Sequence, residues 1–275
     1  MSLHWHKRLR IFLAPQQVSL MEVSGVLHKQ VTQRQVIPVE QMPGVPQWQP
    51  AMTALEYILR IGSWHAPATD VVLSAHFARY TLIPWSDQLA SRQERHAFLR
   101  HCFYLAYGEP SRQWDLRMST PAPDASSLAS GVSLELLAAL KAVLAKNRVR
   151  IEGVYPAIMA GANQSRRMLR HGPVWFAVKE PGRLDLALLE DGHWRAVSSH
   201  DIDTEAPEAF SVLLETLITR EPALLGKPDR GWPVVLYWPG KVPAADVFAR
   251  RVIPVKPHGA GSEHPDAFSQ LLVEV

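Results

Sequence analysis

The chain has 275 residues, 47% of them apolar and 20% charged, with 29 Lys and Arg against 26 Asp and Glu for a formal net charge of +3. That share of apolar side chains builds a core and excludes a chain that is disordered throughout. The bases are scattered among acids, which argues against a nucleic-acid binder, and a lone cysteine, Cys102, excludes an intramolecular disulfide framework or a cysteine-rich zinc site.

The length predicts two domains, or one domain with two lobes. No run of about 18 uncharged apolar residues exists, and the most helical stretch carries Glu135 and Lys141, so no membrane span is expected. The basic first ten residues lead into an apolar segment too short for a signal-peptide core, and the expected location is the cytoplasm.

Residues 9–13 and 18–23 are apolar stretches separated by Ala14, Pro15, Gln16 and Gln17, which predicts a hairpin. A third strand over 31–39, interrupted by Pro38, belongs near a sheet edge, and a helix over 48–64 follows with Leu55, Ile58, Leu59 and Ile61 on one side. Val71, Val72 and Leu73 read as a strand buried on both faces, and 77–84 as another. Ser86 or Asp87 is the expected cap of a helix over 87–107, which Gly108 ends. Short strands at 114–118 and 127–131 lead to Ser133 as the cap of a helix over 134–146. A strand at 149–154 and a helix from Tyr155 to about position 169 complete the first half.

After His171, Gly172 and Pro173 the pattern restarts. Strands at 174–178, 183–189 and 194–198 are joined by turns at 179–182 and 190–192, the second carrying an Asp-Gly hairpin signal. A helix over 207–220 and strands at 234–238 and 252–255 follow. Both halves thus repeat one plan of hairpin, third strand, helix and strand.

This order resembles the actin-like ATPase superfamily, and within it the type IV pilus PilM family and the cytoplasmic part of type II secretion GspL proteins. The resemblance is carried by Leu9 to Leu13, by Val71-Val72-Leu73-Ser74 with Arg79-Tyr80-Thr81-Leu82-Ile83-Pro84, and by Trp114-Asp115-Leu116-Arg117. It continues through Leu128-Ala129-Ser130-Gly131, Ile151-Glu152-Gly153-Val154 and the meander from Trp175 to Ser198, covering about 9–225 by order of elements. It implies a two-lobed, ribonuclease H-like α/β fold in which each lobe has a mixed sheet with an antiparallel meander plus helices. The expected lobes are 1–172, with a small subdomain inserted at about 77–118, and 173–275, a shortened second lobe.

In that superfamily the two hairpin turns hold phosphate and magnesium, an Asp-x-Gly turn letting backbone amides approach the phosphates. This sequence departs there. Its first turn has Pro15 and Gln16 with neither Asp nor Gly, and proline lacks the N–H that would bond a phosphate oxygen. Its second turn has Glu180, Pro181 and Gly182, and the adenine end has only Gly240 beside Pro239. The expectation is a degenerate site without cofactor, with Lys179 or Arg183 left as possible anion holders. The alternative is a nucleotide-binding ATPase or kinase of the same superfamily.

Other chemistry finds no anchor. Gly226-Lys227 runs into Pro228, so no Walker loop exists, and serine-hydrolase, zincin and dinucleotide motifs are missing. Cys102 beside His101 points about 100° away from it on a helix and reads as structural. His4 with His6, His96 with His101, and His193 make no metal spacing, and His200, Asp201 and Asp203 read as turn chemistry rather than an acid–base cluster.

The aromatic residues Phe77, Tyr80, Trp85, Phe98, Phe103, Tyr104 and Tyr107 gather in the subdomain with Arg79, Arg92, Arg95 and Arg100. Aromatic and arginine side chains dominate binding hot spots. Phe77, Arg79, Tyr80 and Trp85 are therefore the candidate partner contacts. The resemblance implies that this subdomain helps bind the cytoplasmic tail of an inner-membrane pilus or secretion protein. The chain is then expected to be a non-enzymatic scaffold, membrane-associated only through partners.

Overall fold

The opening hairpin is β1 (Arg8–Leu13) and β2 (Gln17–Ser24), both almost wholly buried, with β3 (Gln30–Pro38) exposed along the edge where Pro38 needs no ladder partner. The computed structural model describes residues 7–25, 30–89, 91–120, 123–224, 231–238 and 243–255. Helix α1 (Gln49–Ile61) crosses to β4 (Ala68–Leu73), which pairs parallel with β1, and β8 (Arg150–Pro156) pairs parallel with β4. The first sheet therefore runs β3-β2-β1-β4-β8.

The second half repeats the order. Strands β9 (Pro173–Glu180), β10 (Arg183–Glu190) and β11 (His193–Asp201) form an antiparallel meander, α6 (Pro207–Leu224) crosses over, and β12 (Val234–Tyr237) and β13 (Val252–Pro254) add parallel strands. The second sheet runs β11-β10-β9-β12-β13, the same topology.

Inserted between β4 and β8 is a small sheet, β5 (Ala78–Ile83), β7 (Ser127–Ser133) and β6 (Trp114–Met118) in that spatial order, with α2 (Arg92–Tyr107) packed on it. Because β7 is the middle strand, the subdomain reaches Ser133 rather than ending near 118. Helix α3 (Leu134–Lys146) starts at once, its first turn capped by Ser133 Oγ.

Two helix boundaries differ from the sequence reading. Neither Ser86 nor Asp87 caps α2; Ser91 does, in a capping box with Glu94, whose N–H donates to Ser91 Oγ (3.1 Å) while its carboxylate accepts from Ser91 N (2.8 Å). Strand β8 runs on to Pro156, and the helix beyond it is α4 (Ala157–Gln164), interrupted at Ser165 before a single turn α5 (Arg166–Leu169). Pro156 has no N–H for a helix to lose, so it suits the junction.

Side-chain alternation on the second sheet explains how the lobes join. Val174, Phe176 and Val178 of β9, Ala187 and Leu189 of β10, and Val235 and Tyr237 of β12 share one apolar cluster with the first lobe. Their neighbours Trp175, Ala177, Leu184, Leu186, Leu188, Val234 and Leu236 pack instead with Phe210, Leu214 and Ile218 of α6. The central strands are buried on both faces, and α4 lies against both β4 and β9.

The subdomain has its own core of Ile83, Leu99, Phe103, Leu116 and Ala129. Gly131 is needed there, because a Cβ at that position would lie 2.9 Å from ring atoms of Phe103 and Trp114. Phe103→Ala should lose about 3–5 kcal/mol of local stability. Limited proteolysis should then cut within the subdomain before either lobe opens; simultaneous loss of all three sheets would refute separate cores.

Candidate functional site

Each of the two hairpin turns bonds to other parts of the chain. At the first, Ala14 N donates to Gln17 O (3.0 Å), Val39 N to Gln16 O (2.8 Å) and Gln41 Nε2 to Pro15 O (2.5 Å). Pro15 is buried and Gln16 exposed.

At the second turn the period-two pattern aims a polar patch at the first lobe. Glu180 follows Val174, Phe176 and Val178 on one face of β9, and Arg183 and Asp185 precede Ala187 and Leu189 on the same face of β10. Glu180 is not a solvent-facing turn carboxylate. It is buried against the β4–β5 turn of the first lobe, where Ser74 Oγ donates to its Oε2 and Ala75 N donates to its Oε1 at 2.8 Å.

The same turn of the first lobe supplies His76, whose Nε2 lies 2.9 Å from Pro181 O. Ser74 is itself held by its N–H to Leu13 O (2.9 Å), at the end of β1. Gly182 has φ +72°, a conformation that glycine adopts freely, and its carbonyl accepts from Ile202 N at 3.1 Å. Main-chain and side-chain donors that an anion would use thus converge on a carboxyl group of the chain itself.

Burial dominates the electrostatics of this seam. It pushes Glu180 up to about 8, against the pull of its bonds from Ala75 and Ser74, with nearby Asp185 adding to the rise and Arg183 opposing it. Burial also raises Asp185 to about 6, although Ser199 Oγ donates to its Oδ1 at 2.5 Å. Tyr80, buried beside Asp185, has its phenol held well above the usual range, first by burial and then by the Asp185 and Glu180 carboxyls. Burial lowers His76, its bond to Pro181 acting the other way.

The remaining cations of the second turn have partners. Lys179 is fully buried on the α6 side, 2.5 Å from Glu205 and 4.8 Å from the Trp238 ring centroid, and Arg183 pairs with Asp201. His200 Nε2 meets Ser198 Oγ at 2.9 Å, while Asp201 accepts from Arg183. Among the described residues no group of three or more His, Cys, Asp or Glu could hold a metal. Burial raises the half-buried Cys102 thiol, as suits a structural cysteine, while His101 is exposed. His4, His6, Pro239 and Gly240 lie outside the described residues.

The four candidate partner contacts separate. Phe77 and Tyr80 are core residues at the junction of lobe and subdomain, which removes both side chains from any surface. The half-buried Arg79 turns its Nη1 to the carbonyls of Ala78 (2.8 Å) and His76 (3.2 Å). Trp85 alone stands out, 41% exposed, on the wall of a groove of about 400 Å³. Pro84 and Leu89 flank it, Arg95 and Phe98 of α2 form the opposite wall, and Met118 and Ser127 close the end.

Sequence reasoning did not find Ser74, Ala75, His76 or Asp185. The strand parity that places Asp185 with Glu180 was readable, but the fold of the β4–β5 turn that meets them was not.

No protein-family model matches this sequence, and no curated protein is similar to it. Solved structures are similar in fold. A Bacteroides thetaiotaomicron protein described as having an actin-like ATPase fold and unknown function is 12% identical, with 98% of this chain and 96% of that one covered and a TM-score of 0.63. The cytoplasmic domain of EpsL, an inner-membrane component of the Vibrio cholerae type II secretion system, is 13% identical over 97% of this chain and 92% of that one, at a TM-score of 0.59. A chain of the PilM–PilN type IV pilus biogenesis complex is 13% identical over 96% and 89%, also at 0.59. The fold is therefore the actin-like ATPase fold, of the kind also found in pilus and secretion proteins.

A carboxyl group whose folded pKa of about 8 lies above its ordinary 4.5 binds its proton more tightly in the native state. The stability it contributes is complete below pH about 4.5 and is lost as pH rises through about 8. Thermal melts of the unaltered chain should therefore fall by roughly 5 °C between pH 6 and 9. Glu180→Gln, which keeps a carbonyl for Ala75 N and an amide for Ser74 Oγ, should flatten that decline. An equally steep decline in the variant would show that another group governs it.

Proposed function

We propose that this chain is a non-catalytic scaffold on the actin-like fold that docks a partner of an inner-membrane pilus or secretion platform through its inserted subdomain. The observation that carries the reading is Glu180 seated on Ser74 and Ala75, with His76 bonded to Pro181. Polyphosphate needs unpaired N–H donors and a nearby cation at both turns. Here Pro15 and Pro181 withhold amides, and Lys179 and Arg183 are paired with Glu205 and Asp201.

On this reading, binding falls to the periphery. The Trp85 groove combines an exposed indole with Phe98 and Met118, the mixture that favours an extended peptide carrying apolar anchors, while Arg95 on its far wall donates to Leu89 O at 3.1 Å. The likeness to PilM in a complex with PilN, and to an inner-membrane component of type II secretion, supports a cytoplasmic tail of a membrane protein as the occupant.

Titration calorimetry separates the two uses of the fold. ATP with magnesium should give no saturable heat, and a Kd tighter than about 100 μM would overturn the scaffold reading. An extended synthetic peptide carrying aromatic and aliphatic anchors should bind, and Trp85→Ala should weaken it at least tenfold. Unchanged affinity in that variant would remove the groove from the assignment.

A further inference from the structure

Helix α2 carries a second surface, separate from the Trp85 groove. Arg92, His96 and Arg100 follow one another at intervals of one turn, all exposed, and with Gln93 and Ala97 they line an open hollow. Arg100 also borders the next hollow, whose other walls are His101, Tyr104, Ser111, Arg112 and Leu116. Arg112 stacks over the Tyr104 ring at 5.4 Å and pairs with Glu109 at 3.1 Å.

The acids near this row are engaged elsewhere. Glu94 completes the capping box with Ser91, Glu109 pairs with Arg112, and Asp115 pairs with Arg117 at 2.8 Å. Among the described residues neither Arg92 nor Arg100 has a carboxylate partner. Arg92 moreover lies in the first turn, where the helix dipole disfavours a cation. Folding gains nothing from a positive charge there.

A single exposed cation is unremarkable, but here two arginines two turns apart, with His96 between them, have no carboxylate partner among the described residues, and Arg92 stands against its own helix dipole. The row ends in an exposed aromatic ring, and beside it Leu105 is 71% exposed. The small Ala97 between the cations leaves room for a second backbone to approach.

We propose that this face of α2 docks an acidic helix of a partner protein. Carboxylates at i, i+4 and i+8 on that helix would meet Arg92, His96 and Arg100, and an apolar residue one turn further would cover Tyr104. Helices lying side by side have the same rise of about 1.5 Å per residue, so one spacing serves all three pairs. A lipid headgroup surface is the lesser fit, because the row includes no lysine.

The test uses the full chain and a fluorescein-labelled, alanine-based helical peptide of 16 residues. It bears Glu at three successive i+4 positions and Leu at the fourth. Anisotropy should report saturable binding, weakened at least tenfold when salt is raised from about 50 to 500 mM. Binding should be lost when Gln replaces the three Glu.

Arg92→Glu with Arg100→Glu should abolish binding while leaving the melting temperature unchanged or higher, since a first-turn acid suits the dipole. Trp85→Ala should leave this binding intact, which keeps the outcome apart from that of the groove. Equal binding of the Gln peptide, an unaffected double variant, or capture of the chain by phosphatidylglycerol vesicles but not by the peptide would each overturn the proposal.

Discussion

The contact between Glu180 and the β4–β5 turn orders the rest of the molecule. A carboxyl group at the centre of a lobe junction has to be neutral or fully bonded, since an isolated buried charge costs several kcal/mol. Here it is both: burial raises its pKa to about 8, and Ser74 Oγ and Ala75 N supply the donors. That requirement sets the shape of its surroundings. Ser74 is anchored to Leu13 at the end of β1, Phe77 N closes the turn onto Ser74 O at 2.9 Å, and His76 reaches Pro181. The ends of β1, β4 and β9 are drawn together.

A sheet buried on both faces can present only a few polar side chains to its neighbour. The lobes therefore meet through an apolar middle and a polar tip. Val174, Phe176 and Val178 give way to Glu180 along β9, just as Leu189 and Ala187 give way to Asp185 and Arg183 along β10. The apolar part supplies affinity between lobes without direction. The polar tip supplies direction, because each of its groups is satisfied in one relative placement only. Asp185 and Tyr80, both buried, lie side by side at the subdomain end of this tip.

Most of the architecture was legible as period and punctuation. The Ser133 cap with the helix behind it, the Asp-Gly turn before β11 and the edge placement of β3 all follow from local chemistry. The site was less so, for a physical reason: whether a strand residue faces solvent or core depends on what lies across from it. Phe77 and Tyr80 have the composition of a binding surface, but β5 lies against β11 of the second lobe, and that contact joins segments more than a hundred residues apart. Glu180 resembles a turn carboxylate for the same reason. The start of α2 is different, since the Ser91-x-x-Glu94 signature was present and was passed over for the earlier Ser86 and Asp87.

The contact between the lobes also holds the inserted subdomain. Here β5 is held from both sides, by the second lobe through β11 and by α2 through Tyr107, whose Oη accepts from Tyr80 N (3.2 Å) and donates to Tyr80 O (2.6 Å). Those two bonds occupy the backbone edge of β5 at Tyr80, so a partner cannot add a strand there. The side chains on α2 and around Trp85, where docking is proposed, are displayed on a base held by both lobes. A base held on both sides loses little conformational entropy when a ligand docks.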